Sequence, residues 1–252
     1  MKAMVLAAGL GTRLRPLTND RPKALVQLNG RTLLELALLR LRRFGVHEVI
    51  VNVHHFADLV IAYLERHNNF GMRVEVSRED LLLDTGGGLK QAAWFFLEPS
   101  GGQKLNDPDE PFLLHNVDVI STIDFARMLR AHRESQALAT LAVQKRESGR
   151  QLLFNEQIRL CGRRAGKEKD PEIVCPGAPL EPLAFCGIHI ISPRLLGLMR
   201  EDGVFSIIDC YLRLAAAGEN IAAFRADDYY WRDLGKPADL QQAAQDYVGA
   251  EV

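Results

Sequence analysis

Residues 3–18 of the chain read AMVLAAGLGTRLRPLT. The six apolar residues 3–8 have the length and composition of a buried β-strand, and Gly9 and Gly11 follow at once. Glycine lets the backbone bend sharply and approach a ligand closely, which leaves peptide N–H groups free to face phosphate oxygens. Arg13 and Arg15 add permanently charged, forked donors. The stretch predicts a strand that ends in a turn built to bind the phosphates of a nucleotide.

The spacing of this turn differs from that of two common phosphate-binding motifs. Leu14 stands where the dinucleotide motif GxGxxG has its third glycine, and the pattern GxxxxGK[ST] is also absent. A GxG pair after a strand also occurs in tight turns for conformational reasons alone. The neighbouring residues are therefore needed to distinguish a phosphate-binding turn from an ordinary tight turn.

Length, charge and cysteine spacing limit the classes of function. The 252 residues fit one domain with a full core, or at most two small ones, and a single domain, residues 1–252, is the simpler choice. A net charge of -1 gives no basic field for nucleic acid, which favours a small ligand bound at a local site. Four well-separated cysteines without CxxC spacing indicate neither a zinc site nor a disulfide framework and favour a reducing cytoplasm. The first apolar run is too short for a signal sequence or a membrane span.

Apolar runs alternate with helical patterns along the chain. This alternation predicts an α/β fold of the Rossmann-like, doubly wound type with a mostly parallel sheet, because parallel strands need crossover connections. Loops are expected at residues 99–110, within residues 161–169, and in the glycine-rich stretch 83–89 that precedes a short helix. The predicted strands cover residues 4–8, 48–53, 72–76, 112–118, 137–143, 184–191 and 221–225, and the predicted helices cover 32–44, 57–67, 91–97, 124–135, 205–217 and a segment from 238.

Residues 6–18 together with the pair Pro22-Lys23 resemble the signature LAAGxGTRLxPLT…PK of the sugar-1-phosphate nucleotidyltransferases. The resemblance implies a GT-A-like nucleotidyltransferase fold. Some members of the family append a β-helix domain, for which the predicted helix from residue 238 is expected to leave no room. The resemblance also implies the condensation of a nucleoside triphosphate with a sugar 1-phosphate, which releases pyrophosphate and depends on Mg²⁺. Such a reaction needs positioning and charge neutralisation rather than a protein nucleophile.

The resemblance assigns roles residue by residue. Arg13 would bind the β- and γ-phosphates, Lys23 the α-phosphate or the sugar phosphate, and Asp118 and Asp233 one or two Mg²⁺ ions. Asp118 ends an apolar strand, where open α/β sheets bind ligands, although a lone aspartate there is often a turn former. The nucleotide-binding residues implied are Leu6, Ala7, Ala8, Gly9, Gly11, Thr12, Thr85, Gly86, Gly87 and Asn116.

Two segments bear on the choice of substrates. The stretch Asp84-Thr85-Gly86-Gly87-Gly88 is similar to the ETGGG-like loop of small N-acetylmuramic acid 1-phosphate uridylyltransferases, and it implies base binding with a preference for UTP. Gly187 would approach the sugar through its backbone, or form a strand bulge. The family's sugar-contacting Glu-Lys-Pro element is missing, which disfavours thymidylyl transfer, and Val117 replaces the usual glycine of Asn-Gly-Asp.

The expected activity is therefore uridylyl transfer to an amino sugar 1-phosphate such as N-acetylmuramic acid 1-phosphate, which would serve cell-wall synthesis. A mannose- or heptose-1-phosphate guanylyltransferase and a non-catalytic, nucleotide-sugar-binding regulatory subunit are the alternatives. The expected partners are the nucleoside triphosphate and the sugar 1-phosphate, with neither nucleic acid nor membrane. A monomer or a small homo-oligomer in the cytoplasm is expected.

Overall fold

A computed structural model describes residues 1–98, 109–166, 170–176 and 179–246 of the chain. Strands and helices alternate through most of these ranges. The strands are β1 (Lys2–Leu6), β2 (Gln27–Leu28), β3 (Arg31–Thr32), β4 (Glu48–Val53), β5 (Arg73–Arg78), β6 (Phe112–Asn116), β7 (Val119–Ser121), β8 (Ala139–Gln144), β9 (Arg150–Phe154), β10 (Leu160–Ala165), β11 (Glu172–Ile173), β12 (Glu181–Ile191), β13 (Ile221–Arg225) and β14 (Trp231–Asp233). The α-helices are α1 (Leu33–Arg43), α2 (Ala57–Arg66), α3 (Asp84–Gln91), α4 (Ala93–Leu97), α5 (Phe125–Glu134), α6 (Arg194–Leu198), α7 (Ile207–Ala216) and α8 (Pro237–Asp246).

The central sheet is mixed, and its first half is parallel. Strands β5, β4, β1 and β6 are neighbours in that order and run parallel. Strand β12 then pairs antiparallel with β6 and β8, and β13 pairs parallel with β8. The start of β12 also pairs with β9, which extends the sheet through β10 to β11. The prediction of a Rossmann-like α/β fold is confirmed.

Helices cover both faces of this sheet. Alternate residues of β1 belong to different core clusters, because successive side chains of a strand point to opposite faces. Ala3 and Val5 pack in the cluster that contains side chains of α1, α2, α5 and α8. Met4 packs in the other cluster, with side chains of α3, α4, α6 and α7. The parallel strands are therefore buried on both sides. Their carboxyl ends remain uncovered, and open α/β sheets bind ligands there.

Two of the expected loops are wrong where the structure describes them. Residues 161–165 belong to the strand β10, whose register with β9 runs from Leu160 to Ala165. A polar, arginine-containing strand near the sheet edge lacks the apolar alternation on which the prediction depended. The stretch 84–89 is the first part of helix α3 rather than a loop. Most of the third expected loop, 99–110, lies outside the described residues, as do the remaining residues 167–169 of the second.

Among the residues that the structure describes, no helix is both long enough and apolar enough to cross a membrane.

Candidate functional site

The carboxyl ends of three neighbouring parallel strands form the floor of a cavity. Leu6 at the end of β1 is in register with Asn52 of β4 on one side and with Asn116 of β6 on the other. The cavity has a volume of about 350 Å³. Its lining consists of Leu6, Ala8, Gly9, Lys23, Asn52, Glu79, Leu82, Asp84, Thr85, Asn116, Val117, Asp118 and Val204. Seven of the residues implied by the sequence, Leu6, Ala8, Gly9, Lys23, Thr85, Asn116 and Asp118, therefore share one cavity.

The glycine turn after β1 depends on the conformation of Gly11. This residue has a φ of +63°, in the left-handed region that side chains disfavour. A Cβ at residue 11 would also lie 3.0 Å from both Lys23 Cβ and Thr18 Cγ2. The hydroxyl of Thr18 donates a hydrogen bond to the Gly11 carbonyl (2.9 Å). Gly11 therefore lets the turn lie directly against Lys23, and the one-turn helix Thr12–Leu14 follows.

Lys23 is the basic residue at the centre of the site. Its ammonium group forms an ion pair with Asp118, and both side chains are largely buried. Burial lowers the pKa of Lys23 to about 8, the nearby charge of Arg13 also lowers it, and Asp233 opposes the shift. A lysine whose pKa is strongly lowered and that lies near two carboxylates is typical of a functional site rather than of a solvated surface.

Asp118 lies in the turn just before β7, and Asp233 is the last residue of the adjacent strand β14. In the β7–β14 pair, Asp233 is in register with Val119, the residue after Asp118. The backbone N–H of Leu234 donates to the Asp118 carbonyl (2.7 Å). Oδ1 of Asp233 accepts a hydrogen bond from the N–H of Gly235 (2.7 Å). The structure thus brings together two carboxylates that are 115 positions apart in the sequence.

Arg13 lies against the same segment. A Cβ at residue 235 would be 2.6 Å from Arg13 Nη2 and 2.6 Å from Asp233 Oδ1. The absence of a side chain at Gly235 therefore lets the guanidinium group of Arg13 approach the carboxylate of Asp233. Two cations, Arg13 and Lys23, and two anions, Asp118 and Asp233, form a charged cluster beside the cavity, and we call these four residues the charged cluster.

Two carboxylates fit a Mg²⁺ ion that is completed by phosphate oxygens. The described ranges contain no group of three or more His, Cys, Asp and Glu side chains arranged to hold a metal by themselves. Mg²⁺ commonly uses only one or two protein carboxylates and takes its other ligands from substrate phosphates and water. The donor set of Asp118 and Asp233 is therefore compatible with Mg²⁺ bound together with a nucleotide.

The glycine-rich segment packs inside the protein in a way that the sequence did not suggest. A Cβ on Gly86 would lie 2.3 Å from a ring carbon of Phe205, and one on Gly87 would lie 2.3 Å from the carbonyl of Gly203. The N–H of Gly86 donates to the Phe205 carbonyl (3.0 Å). Gly86 and Gly87 do not line the cavity. Because they have no side chains, helix α3 can lie close to the segment before α7.

A second cavity of about 630 Å³ adjoins the first. The two share Asp84, Thr85 and Asn116 in their linings. The second is further lined by residues of β9, β10, β12 and the start of α7, namely Arg150, Gln151, Leu152, Arg163, Arg164, Ala165, Phe185, His189, Ser206, Ile207 and Ile208, together with Asp170 and Glu172. Thr85 also connects helix α3 to helix α7, since its hydroxyl accepts a hydrogen bond from the Ile207 N–H (3.0 Å).

Gly187 packs against Asn116, one of the residues that line both cavities. Its φ is +71°, and the register between β12 and β8 shifts between Phe185 and His189, so Gly187 sits in a β-bulge. A Cβ there would lie 2.7 Å from Nδ2 of Asn116. Gly187 is not part of either lining, and its contact is with Asn116, which is part of both.

Sequence reasoning missed Asn52 and Glu79. Both line the first cavity and are 2% exposed, and Nδ2 of Asn52 donates to Oε1 of Glu79 (2.6 Å). The signal was present, because each is a polar residue at or just after the carboxyl end of a parallel strand. The same argument had identified Asp118.

Comparison with known proteins agrees with this geometry. A family model described as "Nucleotidyl transferase" matches residues 2–151. The chain is 34% identical over 247 residues to the N-acetylmuramate alpha-1-phosphate uridylyltransferase of Caulobacter vibrioides, with 93% of this chain and 92% of that protein covered. It is 28% identical to the mannose-1-phosphate guanylyltransferase catalytic subunit beta of Dictyostelium discoideum, of which it spans 62%, with 95% of this chain covered.

Solved structures share the fold at lower identity. A putative glucose-1-phosphate thymidylyltransferase from Bacillus anthracis matches with a TM-score of 0.78 and 17% identity, covering all of this chain and 97% of that one. HddC from Yersinia pseudotuberculosis, complexed with GMP-PN, matches with a TM-score of 0.72 and 22% identity, covering 98% of this chain and 99% of that one. The fold, the family model and the near full-length relative agree, and the chain belongs to the sugar-1-phosphate nucleotidyltransferase family.

Proposed function

We propose that the protein transfers a uridylyl group from UTP to an amino sugar 1-phosphate such as N-acetylmuramic acid 1-phosphate, and releases pyrophosphate. The observation that carries the proposal is the charged cluster beside the cavity at the carboxyl ends of β1, β4 and β6. A phosphate oxygen of the sugar 1-phosphate attacks the α-phosphorus of UTP, and the bond from that phosphorus to the pyrophosphate oxygen breaks. No covalent enzyme intermediate is needed.

The cations of the cluster suit this reaction because the transferred and leaving phosphates are anionic. Arg13 would bind the β- and γ-phosphates and stabilise the leaving pyrophosphate with a forked pair of donors. Lys23 would contact the α-phosphate or the sugar phosphate and so hold the two reactants in line. Its ammonium group is already held in place by Asp118 before substrate binds.

Asp118 and Asp233 are the proposed ligands of Mg²⁺. The bound ion would neutralise charge on the phosphates of the nucleotide. The two side chains are fixed independently of the ion. Asp118 is 8% exposed and paired with Lys23, and Asp233 accepts the Gly235 N–H.

The two adjoining cavities suit two substrates. The cavity beside the charged cluster would take the nucleotide, and the larger one, which shares Thr85 and Asn116 with it, would take the sugar. The preference for UTP and an amino sugar is supported by the 34% identical relative, which is named for that reaction and is covered over almost its whole length. The four cysteines are all free thiols, which agrees with a reducing cytoplasm.

A matrix of substrates tests the proposal. Purified protein is incubated with Mg²⁺, each of the four common nucleoside triphosphates and a panel of sugar 1-phosphates, and pyrophosphate release is measured. The expected result is turnover that is fastest with UTP and N-acetylmuramic acid 1-phosphate. Fastest turnover with GTP and a mannose- or heptose-type phosphate would instead identify a guanylyltransferase. Nucleotide-sugar binding without turnover of any pair would indicate a regulatory subunit.

A further inference from the structure

Asn52 and Glu79 form a buried bridge across the floor of the first cavity. Oδ1 of Asn52 accepts a hydrogen bond from the N–H of Ala7 (2.7 Å), and Nδ2 of Asn52 donates to Oε1 of Glu79 (2.6 Å). Oε2 of Glu79 accepts a hydrogen bond from the N–H of Leu83 (3.0 Å). The bridge therefore joins the end of β1 to the segment that starts helix α3.

We propose that Asn52 and Glu79 are a positioning pair that holds the two walls of the nucleotide cavity at the separation that the nucleoside triphosphate requires. This inference rests on the proposed function, because it assigns the first cavity to the nucleotide. One wall consists of Leu6, Ala8 and Gly9, which flank Ala7, and the other contains Asp84 and Thr85, which follow Leu83.

The position of Glu79 is fixed from several sides. Its backbone N–H donates to the Val53 carbonyl (2.8 Å), and the Glu79 carbonyl accepts a hydrogen bond from Nδ1 of His54 (2.8 Å). A Cβ on Gly88 would lie 2.7 Å from Oε1 of Glu79 and 2.8 Å from Nδ2 of Asn52. Helix α3 therefore rests directly on the bridge, and the cavity has its shape before a ligand arrives. Such preorganisation reduces the cost of binding.

Stability alone does not account for a carboxylate in this position. Glu79 is 2% exposed, and its partners in the bridge are an amide side chain and a backbone N–H rather than a cation. Burying a carboxylate without a paired cation costs free energy, which its two hydrogen bonds offset only in part. A carboxylate has the property that the bridge needs, because it accepts hydrogen bonds from two donors that approach from different walls.

The polarity of the hydrogen bonds gives a specific test. In Glu79→Gln, the side-chain NH₂ group faces the NH₂ group of Asn52, so one hydrogen bond of the bridge is lost. In Asn52→Asp, two carboxylates face each other. In the double variant Asn52→Asp/Glu79→Gln, the new carboxylate at position 52 accepts from the Ala7 N–H and from the new amide, while the new amide oxygen accepts from the Leu83 N–H. The double variant thus restores all three hydrogen bonds. Only the direction of the bond between residues 52 and 79 is reversed, since residue 79 now donates and residue 52 accepts.

The experiment measures KM for UTP, kcat, UTP binding by titration calorimetry in the presence of Mg²⁺, and the melting temperature of the intact protein. Loss of one buried hydrogen bond is expected to raise KM and Kd for UTP about tenfold in Glu79→Gln, with a smaller change in kcat. The double variant is expected to return both values to within about threefold of the wild type, since the bridge re-forms.

Thr140→Val is the matched control. It removes a buried hydrogen bond to Nδ1 of His132 (2.9 Å), on strand β8 and outside both cavities. It is expected to lower the melting temperature and leave KM and Kd for UTP unchanged. If Asn52→Asp fails to fold, Glu79→Gln and the double variant still provide the comparison.

Two results overturn the inference while leaving the proposed function intact. In the first, the wild type turns over UTP and Glu79→Gln keeps the wild-type KM and Kd. In the second, the double variant binds UTP no better than Glu79→Gln. A wild-type protein that neither binds nor turns over any nucleoside triphosphate would overturn the proposed function, and this inference with it.

Discussion

The guanidinium group of Arg13 occupies the space that a side chain at residue 235 would need. A Cβ there would lie 2.6 Å from Nη2 of Arg13 and 2.6 Å from Oδ1 of Asp233. The turn after β1 and the segment after β14 therefore meet at Gly235, although they are separated by more than 200 residues of sequence. This contact fixes where Arg13 lies relative to a carboxylate of the charged cluster.

Gly235→Ala is expected to lower kcat by about tenfold or more, because the added methyl group displaces Arg13 from its proposed position at the leaving pyrophosphate, or Asp233 from its proposed position at Mg²⁺. Arg13→Ala is expected to lower kcat by about a hundredfold. Steady-state kinetics of pyrophosphate release measure both effects. Gly197→Ala is the control, since a Cβ there contacts nothing within 4 Å and the residue lies in helix α6. Wild-type kcat in Gly235→Ala would show that the contact is dispensable.

Asp118→Asn is expected to abolish turnover at ordinary Mg²⁺ concentrations. The substitution removes the charge that is proposed to bind Mg²⁺ and leaves Lys23 without its ion-pair partner in a largely buried position. The measurement is activity across a Mg²⁺ titration, together with circular dichroism to establish that the variant is folded. Asp246→Asn, on helix α8, is the control, because Asp246 pairs with Arg232 away from the cavities. Undiminished activity of folded Asp118→Asn would exclude Asp118 as the metal ligand.

Gly86→Ala is expected to lower the free energy of unfolding by about 1–3 kcal/mol, because overpacking a filled region costs about that much. The added Cβ would lie 2.3 Å from a ring carbon of Phe205. Chemical denaturation measures the change. Phe205→Leu in the same chain removes the ring, and the double variant is expected to lose less stability than the sum of the two single losses. Additive losses would show that the ring is not what Gly86 accommodates.

The protein is expected to lose stability in mild acid because of its buried histidines. Burial lowers the pKa of His132 to about 4, and burial likewise lowers the pKa of His189 to about 3. The unfolded chain titrates near pH 6.5, so between pH 6.5 and 4 it binds protons that the folded protein does not, and stability falls as the pH falls. At pH 5 each such histidine accounts for about 2 kcal/mol of this loss.

Denaturation curves at pH 7 and pH 5 measure this dependence. His132→Gln removes one titrating group, and it is expected to lower stability at pH 7 and to reduce the difference between the two pH values. The exposed His67→Gln serves as the control and is expected to leave the difference unchanged. If His132→Gln loses as much stability between pH 7 and pH 5 as the wild type does, His132 is not a source of the acid sensitivity.

The sequence predicted the parts of the site that depend on a single local signal. An apolar run followed by glycines and arginines was enough to locate the turn around Gly11 and Arg13, and the family signature added Lys23 and Asp118. The role of Gly86 and Gly87 was harder to predict, because the partner that requires a glycine there, the segment 203–205, lies far away in sequence. Glycine has a low helix propensity, so the sequence alone predicts a loop there.

Strands near the sheet edge were also difficult to predict. β10 contains Arg163 and Arg164, and it forms because β9 and β11 pair with it, not because its own residues alternate. Asn52 and Glu79 were missed for a different reason. Each stands at or just after the carboxyl end of a parallel strand, where a polar residue can bind a ligand, but the sequence does not show that the two side chains contact each other.

The ion pair between Lys23 and Asp118 also affects how the protein folds. Its two residues are 95 positions apart, and Asp233 joins them from near the other end of the described chain. Contacts between distant positions form late, because the entropy of closing the intervening chain must be overcome first. The central sheet depends on contacts that are just as distant, such as the pairing of Leu6 in β1 with Asn116 in β6. The helices need only contacts between neighbouring residues and can therefore form while the charged cluster is still incomplete. Enzymatic activity thus reports complete folding of this chain more stringently than its helix content does.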